Sequence, residues 1–189
     1  SSHNFCINVP TPGCTDANAC NYNVSATTDD GSCTYGPIND MCAGAISLTV
    51  NGGNTLVNNT NTCNNAANPG CGGNTQILDM WYSFVYTGGD ITITTSVGSA
   101  SGFSSLTDTR IALYDACNGT MMLCDDDISS SNYYSQIVLP CSEFVQGQTY
   151  YIQAGGYNGA SGVFNINVTA IIINGCTDVD ATNYDSCAN

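Results

Sequence analysis

Asp125-Asp126-Asp127 is the densest run of charge in the chain. Three adjacent carboxylates repel one another unless water or a cation lies between them. Side chains alternate in direction along an extended segment, so at most two of the three face one site. Asp108 or Asp115, from the preceding strand, can add a further oxygen. Such a set suits Ca²⁺, a hard cation that takes six to eight oxygen ligands; the plain alternative is an acidic, solvated loop. A second oxygen-rich pattern is Asp16-x-Asn18-x-x-Asn21 followed by Asp29-Asp30, echoed by Asp178-x-Asp180-x-x-Asn183 with Asp185. It spaces ligands as a Ca²⁺ loop would, though not with EF-hand spacing. The same residue types also form turns by bonding their own backbone. Calcium is the expected cofactor, with Asp16, Asn18, Asn21, Asp30, Asp178, Asp180 and Asn183 as its ligands in the terminal patterns.

Catalytic chemistry finds little support. The one histidine is His3, there is no lysine, the one glutamate is Glu143, and no Gly-x-Ser-x-Gly elbow is present. A two-carboxylate hydrolase needs a carboxyl group in an apolar setting that raises its pKa, and no Asp is flanked that way. The expectation is a protein that is not an enzyme. Arg110, the one fixed cation, follows Asp108 closely and is expected to pair with a neighbouring carboxylate. Tyr133-Tyr134 and Tyr157-Asn158 fall in loops, where tyrosine beside asparagine offers a weak signal for stacking on sugar rings.

The charge balance narrows the partners. Fifteen acidic residues against one Arg give a formal net charge of −14. Nothing here neutralises phosphates, so nucleic acid is excluded, and an anionic membrane surface repels the chain. No apolar run is long enough to span a bilayer and no signal peptide is visible, so the chain reads as a mature or excised secreted piece. The twelve cysteines form no Cys-x-x-Cys pair, which fails the zinc templates and points to disulfides made in an oxidising compartment.

Gly13-Cys14-Thr15-Asp16-Ala17-Asn18-Ala19-Cys20-Asn21-Tyr22 returns as Gly175-Cys176-Thr177-Asp178-Val179-Asp180-Ala181-Thr182-Asn183-Tyr184. The echo divides the chain into a lead-in (1–12), a cysteine-rich repeat (13–35), a connector (36–40), a larger domain (41–173) and a second, truncated repeat (174–189). The small units lack the apolar mass to fold without cross-links. Cys14 to Cys33 is the natural closure of the first, Cys6 to Cys20 staples the lead-in, and Cys117 and Cys124 lie across the Asn118-Gly119 turn of an expected hairpin. Pairing among Cys42, Cys63, Cys71 and Cys141 is open.

The middle domain reads as consecutive strands near Ala45–Val50, Thr55–Asn59, Met80–Tyr86, Ile91–Val97, Thr109–Tyr114, Met121–Cys124, Gln136–Leu139, Tyr150–Ala154 and Val163–Ala170. In Ile91-Thr92-Ile93-Thr94-Thr95 the isoleucines face inward and the threonines face water. Trp81, Tyr82 and Phe84 are expected to pack in the core. The fold class is all-β, an antiparallel, jelly-roll-like sandwich flanked by disulfide-rich modules with little regular structure.

Asn39-Asp40-Met41-Cys42-Ala43-Gly44-Ala45-Ile46, Asp79-Met80-Trp81-Tyr82-Ser83-Phe84, Thr109-Arg110-Ile111-Ala112-Leu113-Tyr114, Cys124-Asp125-Asp126-Asp127 and Gly147-Gln148-Thr149-Tyr150-Tyr151-Ile152-Gln153 together resemble the PPC-like β-sandwich domains of secreted Bacteroidota proteins. The flanking units resemble the Gly-Cys-Thr-Asp…Asn-Tyr…Asp-Gly-Ser-Cys repeats found beside them in large surface proteins. The resemblance covers roughly residues 13 to 187 and implies export to the cell surface by the type 9 route, as an adhesin, filament or accessory module. It supplies no ligand, because sandwich folds host many functions. The expected partners are other copies or neighbouring modules of the same protein, with glycans for the alternative reading of a carbohydrate-binding accessory domain of a secreted hydrolase.

Overall fold

Short apolar–polar alternations broken by Gly and Asn give strands rather than helices. The computed structural model has eleven strands among the described residues, with only 3-10 turns between them. It describes residues 9–63, 70–71, 78–171, 173–185 and 187–188. The chain divides into two compact units, Ser1–Gly36 and Pro37–Asn189.

The first unit has almost no apolar interior. Two short strands, β1 (Pro12–Gly13) and β2 (Thr28–Asp29), pair in parallel. Cys14, 1% exposed, is bonded to Cys33 with Cα atoms 4.8 Å apart. Closing a loop of 19 residues stabilises such a unit by about 3 kcal/mol in the chain-entropy account. Cys20 is also disulfide-bonded; Cys6, its expected partner, lies outside the described residues.

The second unit is a sandwich. Its strands are β3 (Ile46–Ser47), β4 (Thr55–Asn58), β5 (Asp79–Val85), β6 (Ile91–Val97), β7 (Thr109–Tyr114), β8 (Met121–Asp125), β9 (Gln136–Leu139), β10 (Thr149–Gly156) and β11 (Val163–Ala170). They form a five-stranded sheet, β3-β5-β10-β7-β8, and a four-stranded sheet, β4-β11-β6-β9. Every pairing is antiparallel except that of β3 with β5. Period-two alternation sends Tyr82, Phe84, Ile111, Leu113 and Ile152 from one sheet against Ile91, Ile93, Ile137, Phe164 and Ile166 from the other, and all are buried. Phe144 closes one end of this core, with ring centroids 4.9 Å from both Tyr86 and Tyr150.

The outer face of the five-stranded sheet is buried too, contrary to the one-sided alternation expected of an antiparallel sheet. Trp81 belongs to this face, not to the inter-sheet core: its ring lies 5.2 Å from that of Tyr114. Asp79, Ser83, Arg110 and Gln153 lie on the same face and are each 8% exposed or less. The 3-10 turns Ile38–Asp40 and Cys42–Gly44 help cover it, with Asn39 Nδ2 donating to the Trp81 carbonyl at 3.1 Å. Two disulfides fasten this cover to the sheet, Cys42–Cys117 and Cys71–Cys124. Cys117 and Cys124 therefore do not bridge to each other across the Asn118-Gly119 turn. Cys117 lies in the turn and Cys124 on β8 opposite Ala112, and each is bonded to a cysteine of the covering segment.

The C-terminal repeat belongs to the same unit as the sandwich. Cys141, just after β9, is bonded to Cys187, and Gly89 N donates to the Cys187 carbonyl at 2.9 Å.

Candidate functional site

Antiparallel pairing dictates which strand ends meet. β10 runs against β5 and β7, and β8 runs against β7. The starts of β5 and β7 and the finishes of β8 and β10 therefore gather at one end of the sheet. Asp108 directly precedes β7, Asp126-Asp127 directly follows β8, and Tyr157 directly follows β10. The three aspartates each bring one carboxylate oxygen within 4.8 Å of the others. Two oxygens on opposite sides of one Ca²⁺ ion stand about 4.8 Å apart, so the spacing fits that ion. Asp108 and Asp126 are half-buried and Asp127 is exposed. Asp108 Oδ1 and Asp126 Oδ1 are shielded from solvent with no hydrogen-bond partner.

Electrostatics sharpen the picture. Burial, then the negative charges of Asp126 and Asp127, push the Asp108 carboxyl above its usual range. Burial, then Asp127, raises Asp126 as well, with Arg110 opposing. The arrangement holds negative charge at a cost that a cation would relieve.

Buried hydroxyl groups fix the geometry. Thr95 Oγ1 lies 2.6 Å from Thr109 Oγ1, which lies 3.0 Å from Ser135 Oγ. Ser135 N donates to Thr95 Oγ1 at 2.8 Å, and Ser135 Oγ lies 2.7 Å from the Thr109 carbonyl and 3.1 Å from that of Asp126. Thr95, Thr109 and Ser135 are essentially sealed from water. This cluster ties β6, β7 and the approach to β9 together, and so fixes the backbone on both sides of the acidic group. The expectation that the threonines of β6 face water fails at Thr95, which alternation turns inward with Ile91 and Ile93.

Asp125 and Asp115 stand apart from the cluster. Asp125 Oδ2 accepts from Gln136 N at 2.7 Å, and Asp115 Oδ1 accepts from Thr120 N at 2.6 Å to cap the β7–β8 turn. Tyr133 is half-exposed, and its carbonyl accepts from Thr109 N at 3.0 Å; Tyr157 N donates to the Asp108 carbonyl at 3.3 Å. Tyr134 OH instead donates to the Leu106 carbonyl at 3.2 Å. Asn158, at φ 56°, adopts the left-handed turn conformation that Asn tolerates.

In the terminal repeats the acidic and amide side chains are engaged as turn formers. Asp16 Oδ1 accepts from Asn18 N at 2.9 Å and Asp16 Oδ2 from Tyr35 OH at 2.8 Å. The Asn18 backbone and Tyr35 hydroxyl hold the Asp16 carboxyl below its ordinary value. Asn21 clamps Ser32 and Thr34, and Asp30 Oδ1 accepts from Ser32 N at 3.0 Å. Asp178 Oδ1 accepts from Asp180 N at 3.0 Å. Among the described residues, neither repeat assembles three acidic ligands as the sandwich does.

Two expectations about ionisable groups need correction. Arg110 forms no carboxylate pair among the described residues: Nη1 donates to the Cys71 carbonyl at 2.8 Å, and Nη2 is buried without a partner. A carboxyl group does sit where its pKa rises. Asp79, 0% exposed, is pushed up to about 7 by burial. Its sealed position keeps it from any substrate, so it provides no catalytic carboxylate.

A disulfide-stapled β-sandwich with an oxygen-rich, acidic end is the class these features define. The chain belongs to the galactose binding domain-like family associated with type 9 secretion, whose profile matches residues 38–168. Among solved structures it is similar to the pre-peptidase C-terminal domain of a collagenase from Bacillus anthracis, at 10% identity and a TM-score of 0.40, over 66% of this chain and 93% of that one. No curated protein matches. Family membership and several disulfides fit an extracellular accessory module. Among the described residues no helix is long and apolar enough to cross a membrane.

Proposed function

We propose that this chain is a non-catalytic segment of an adhesive or filament-forming surface protein, whose sandwich end binds calcium through Asp108, Asp126 and Asp127. The observation that supports it most is the convergence of those carboxylates, with two shielded oxygens that no protein donor satisfies. An ion there joins the start of β7 to the finish of β8 and stiffens the loop leading to β9. Extracellular modules need only a dissociation constant of about 10⁻⁴–10⁻³ M for this. The partners are other copies or neighbouring modules of the same protein. The test is thermal melting in calcium, in magnesium and in chelator, for the wild type and Asp126→Asn. At about 100 times the dissociation constant calcium adds roughly 2.7 kcal/mol, a rise of several degrees that the variant loses. An identical wild-type midpoint in calcium and chelator refutes the cation site.

A second reading, a carbohydrate-binding accessory domain of a secreted hydrolase, draws on the tyrosines that flank the cluster. Tyr133 is 50% exposed and is anchored through its carbonyl one residue from Asp108, with Tyr157 bonded to Asp108 itself. The family description makes galactose-containing glycans the first to try. Glycan-array binding that disappears in Tyr133→Ala or Tyr157→Ala supports this reading, and an array without binding removes it.

A further inference from the structure

We infer that the outer face of the four-stranded sheet is a self-association surface, and that its occupant is the same face of a second copy of this chain. The cation ligands adjoin β7 and β8 of the other sheet, so a failed calcium test leaves this surface untouched.

Alternation sorts the residues of this sheet onto two faces. Ile91, Ile93, Phe164 and Ile166 point into the core, which sends Thr92, Thr94 and Ser96 of β6 outward with Asn165, Asn167 and Thr169 of β11. The register sets these six in facing pairs: Thr92 with Thr169, Thr94 with Asn167 and Ser96 with Asn165. On the two edge strands, Val138 of β9 lies beside Thr92 and Leu56 of β4 beside Asn165. The six are half-buried, while Val138 is 56% exposed and Leu56 46%. On the five-stranded sheet, by contrast, the outward-facing Asp79, Ser83 and Gln153 are sealed.

The bare face has no charge. The chain carries fifteen acidic residues against one Arg, yet none of them falls on β4, β6, β9 or β11. Two carboxylates at the rim are held by backbone donors: Asp90 Oδ1 accepts from Cys141 N at 2.9 Å and Asp125 Oδ2 from Gln136 N at 2.7 Å. Copies of a chain at net −14 repel wherever their carboxylates meet, over a screening length of about 8 Å at physiological salt. Contact through this face keeps those charges at the margin, where salt screens them.

The chemistry of the face selects a second copy as the occupant. Among the described residues no hydrogen bond engages the hydroxyls of Thr92, Thr94 and Ser96 or the side chain of Asn167. A hydroxyl and a primary amide each donate and accept, so such a face is its own complement across a two-fold axis. Thr94 and Asn167 hold the middle of the grid, and the two apolar side chains hold opposite corners. An axis lying in the interface and bisecting the line between those corners sets Val138 of each copy on Leu56 of the other, around a polar centre. Three strand spacings and four residues of rise make the grid about 14 Å by 13 Å. That is less than a permanent dimer buries and suits a transient contact. Single modules therefore associate weakly, and modules joined in one chain multiply the effect.

The test is sedimentation equilibrium of the full chain from micromolar to millimolar concentration, at low and at high sodium chloride. The expected result is a monomer–dimer equilibrium that strengthens about tenfold with salt, as repulsion between the rims is screened. Asn167→Asp puts a carboxylate at the middle of the face and should weaken the dimer at least about tenfold, with like charges brought together. Thr94→Asp should do the same from the neighbouring strand. Asn118→Asp adds the same charge in the exposed turn between β7 and β8 of the other sheet and should leave the dimer as in wild type. Melting curves confirm that each variant folds. A wild type that stays monomeric at millimolar concentration in high salt, or a dimer that folded Asn167→Asp and Thr94→Asp both leave intact, would overturn the inference.

Discussion

Replacing Asp79 by Asn should make the protein more stable at alkaline pH and leave it unchanged in acid. Asp79 is 0% exposed on the covered face of the five-stranded sheet. Its Oδ2 accepts from Gln153 Nε2 at 3.1 Å, while Oδ1 has no partner. Burial is the main cause of its raised pKa and the Asp40 charge adds to it; Gln153 and Arg110 oppose. A folded-state value of about 7 against an ordinary 3.8 means that the native state binds more protons than the unfolded chain throughout that interval. Stability therefore falls as pH rises from about 4 to about 7 and then levels off. At roughly 1.4 kcal/mol per pH unit the ceiling is about 4 kcal/mol. Asn keeps the shape and the acceptor for Gln153 but carries no charge. Denaturant unfolding with disulfides intact, at pH 4, 6 and 8, should show Asp79→Asn ahead of wild type by about 2–4 kcal/mol at pH 8 and level with it at pH 4. A difference that is independent of pH, or a wild type that is the more stable at pH 8, would refute the assignment of a buried, strained charge.

Ser135→Ala removes the hydroxyl shared by the carbonyls of Thr109 and Asp126, and should cost about 1–3 kcal/mol in unfolding free energy. The same variant should need more calcium for a given rise in melting temperature than wild type does. Gly155→Ala places a Cβ 2.6 Å from the Leu78 carbonyl oxygen, so β10 must part from β5. A loss of about 1–3 kcal/mol in chemical denaturation is the expected result.

Much of the sandwich could be read from the chain because β6 and β11 alternate and all the strands are separated by residues that force turns. Ile91–Val97, Thr109–Tyr114, Gln136–Leu139 and Val163–Ala170 have the bounds the sequence suggests, although Thr109 to Leu113 is buried at every position. The first strand shrank from Ala45–Val50 to Ile46–Ser47, since only those residues face a partner on β5. The Cys14–Cys33 closure was legible, but pairing within the sandwich was not: Cys42 and Cys117 lie 75 residues apart, and only the packing of the cover on the sheet brings them together. Period-two reasoning located Trp81 on β5 but could not reveal that both faces of that strand are buried. For the acidic run, alternation would set Asp125 and Asp127 on one side, yet the adjacent Asp126 and Asp127 are the pair that converges, because β8 ends at Asp125 and extended alternation stops there.

The placement of two disulfides bears on what happens when the molecule is pulled. Cys42–Cys117 bypasses 75 residues and Cys141–Cys187 bypasses 46, so tension entering near Pro37 and leaving near Ala188 runs through sulfur instead of through the hydrogen-bonded ladders. Strands β5, β6, β7, β10 and β11 lie inside those shortcuts. Only roughly 24 residues between Cys117 and Cys141 can extend, about 80 Å of slack at full stretch. Pulled between those points, the unit would yield briefly and then go taut with most of each sheet intact.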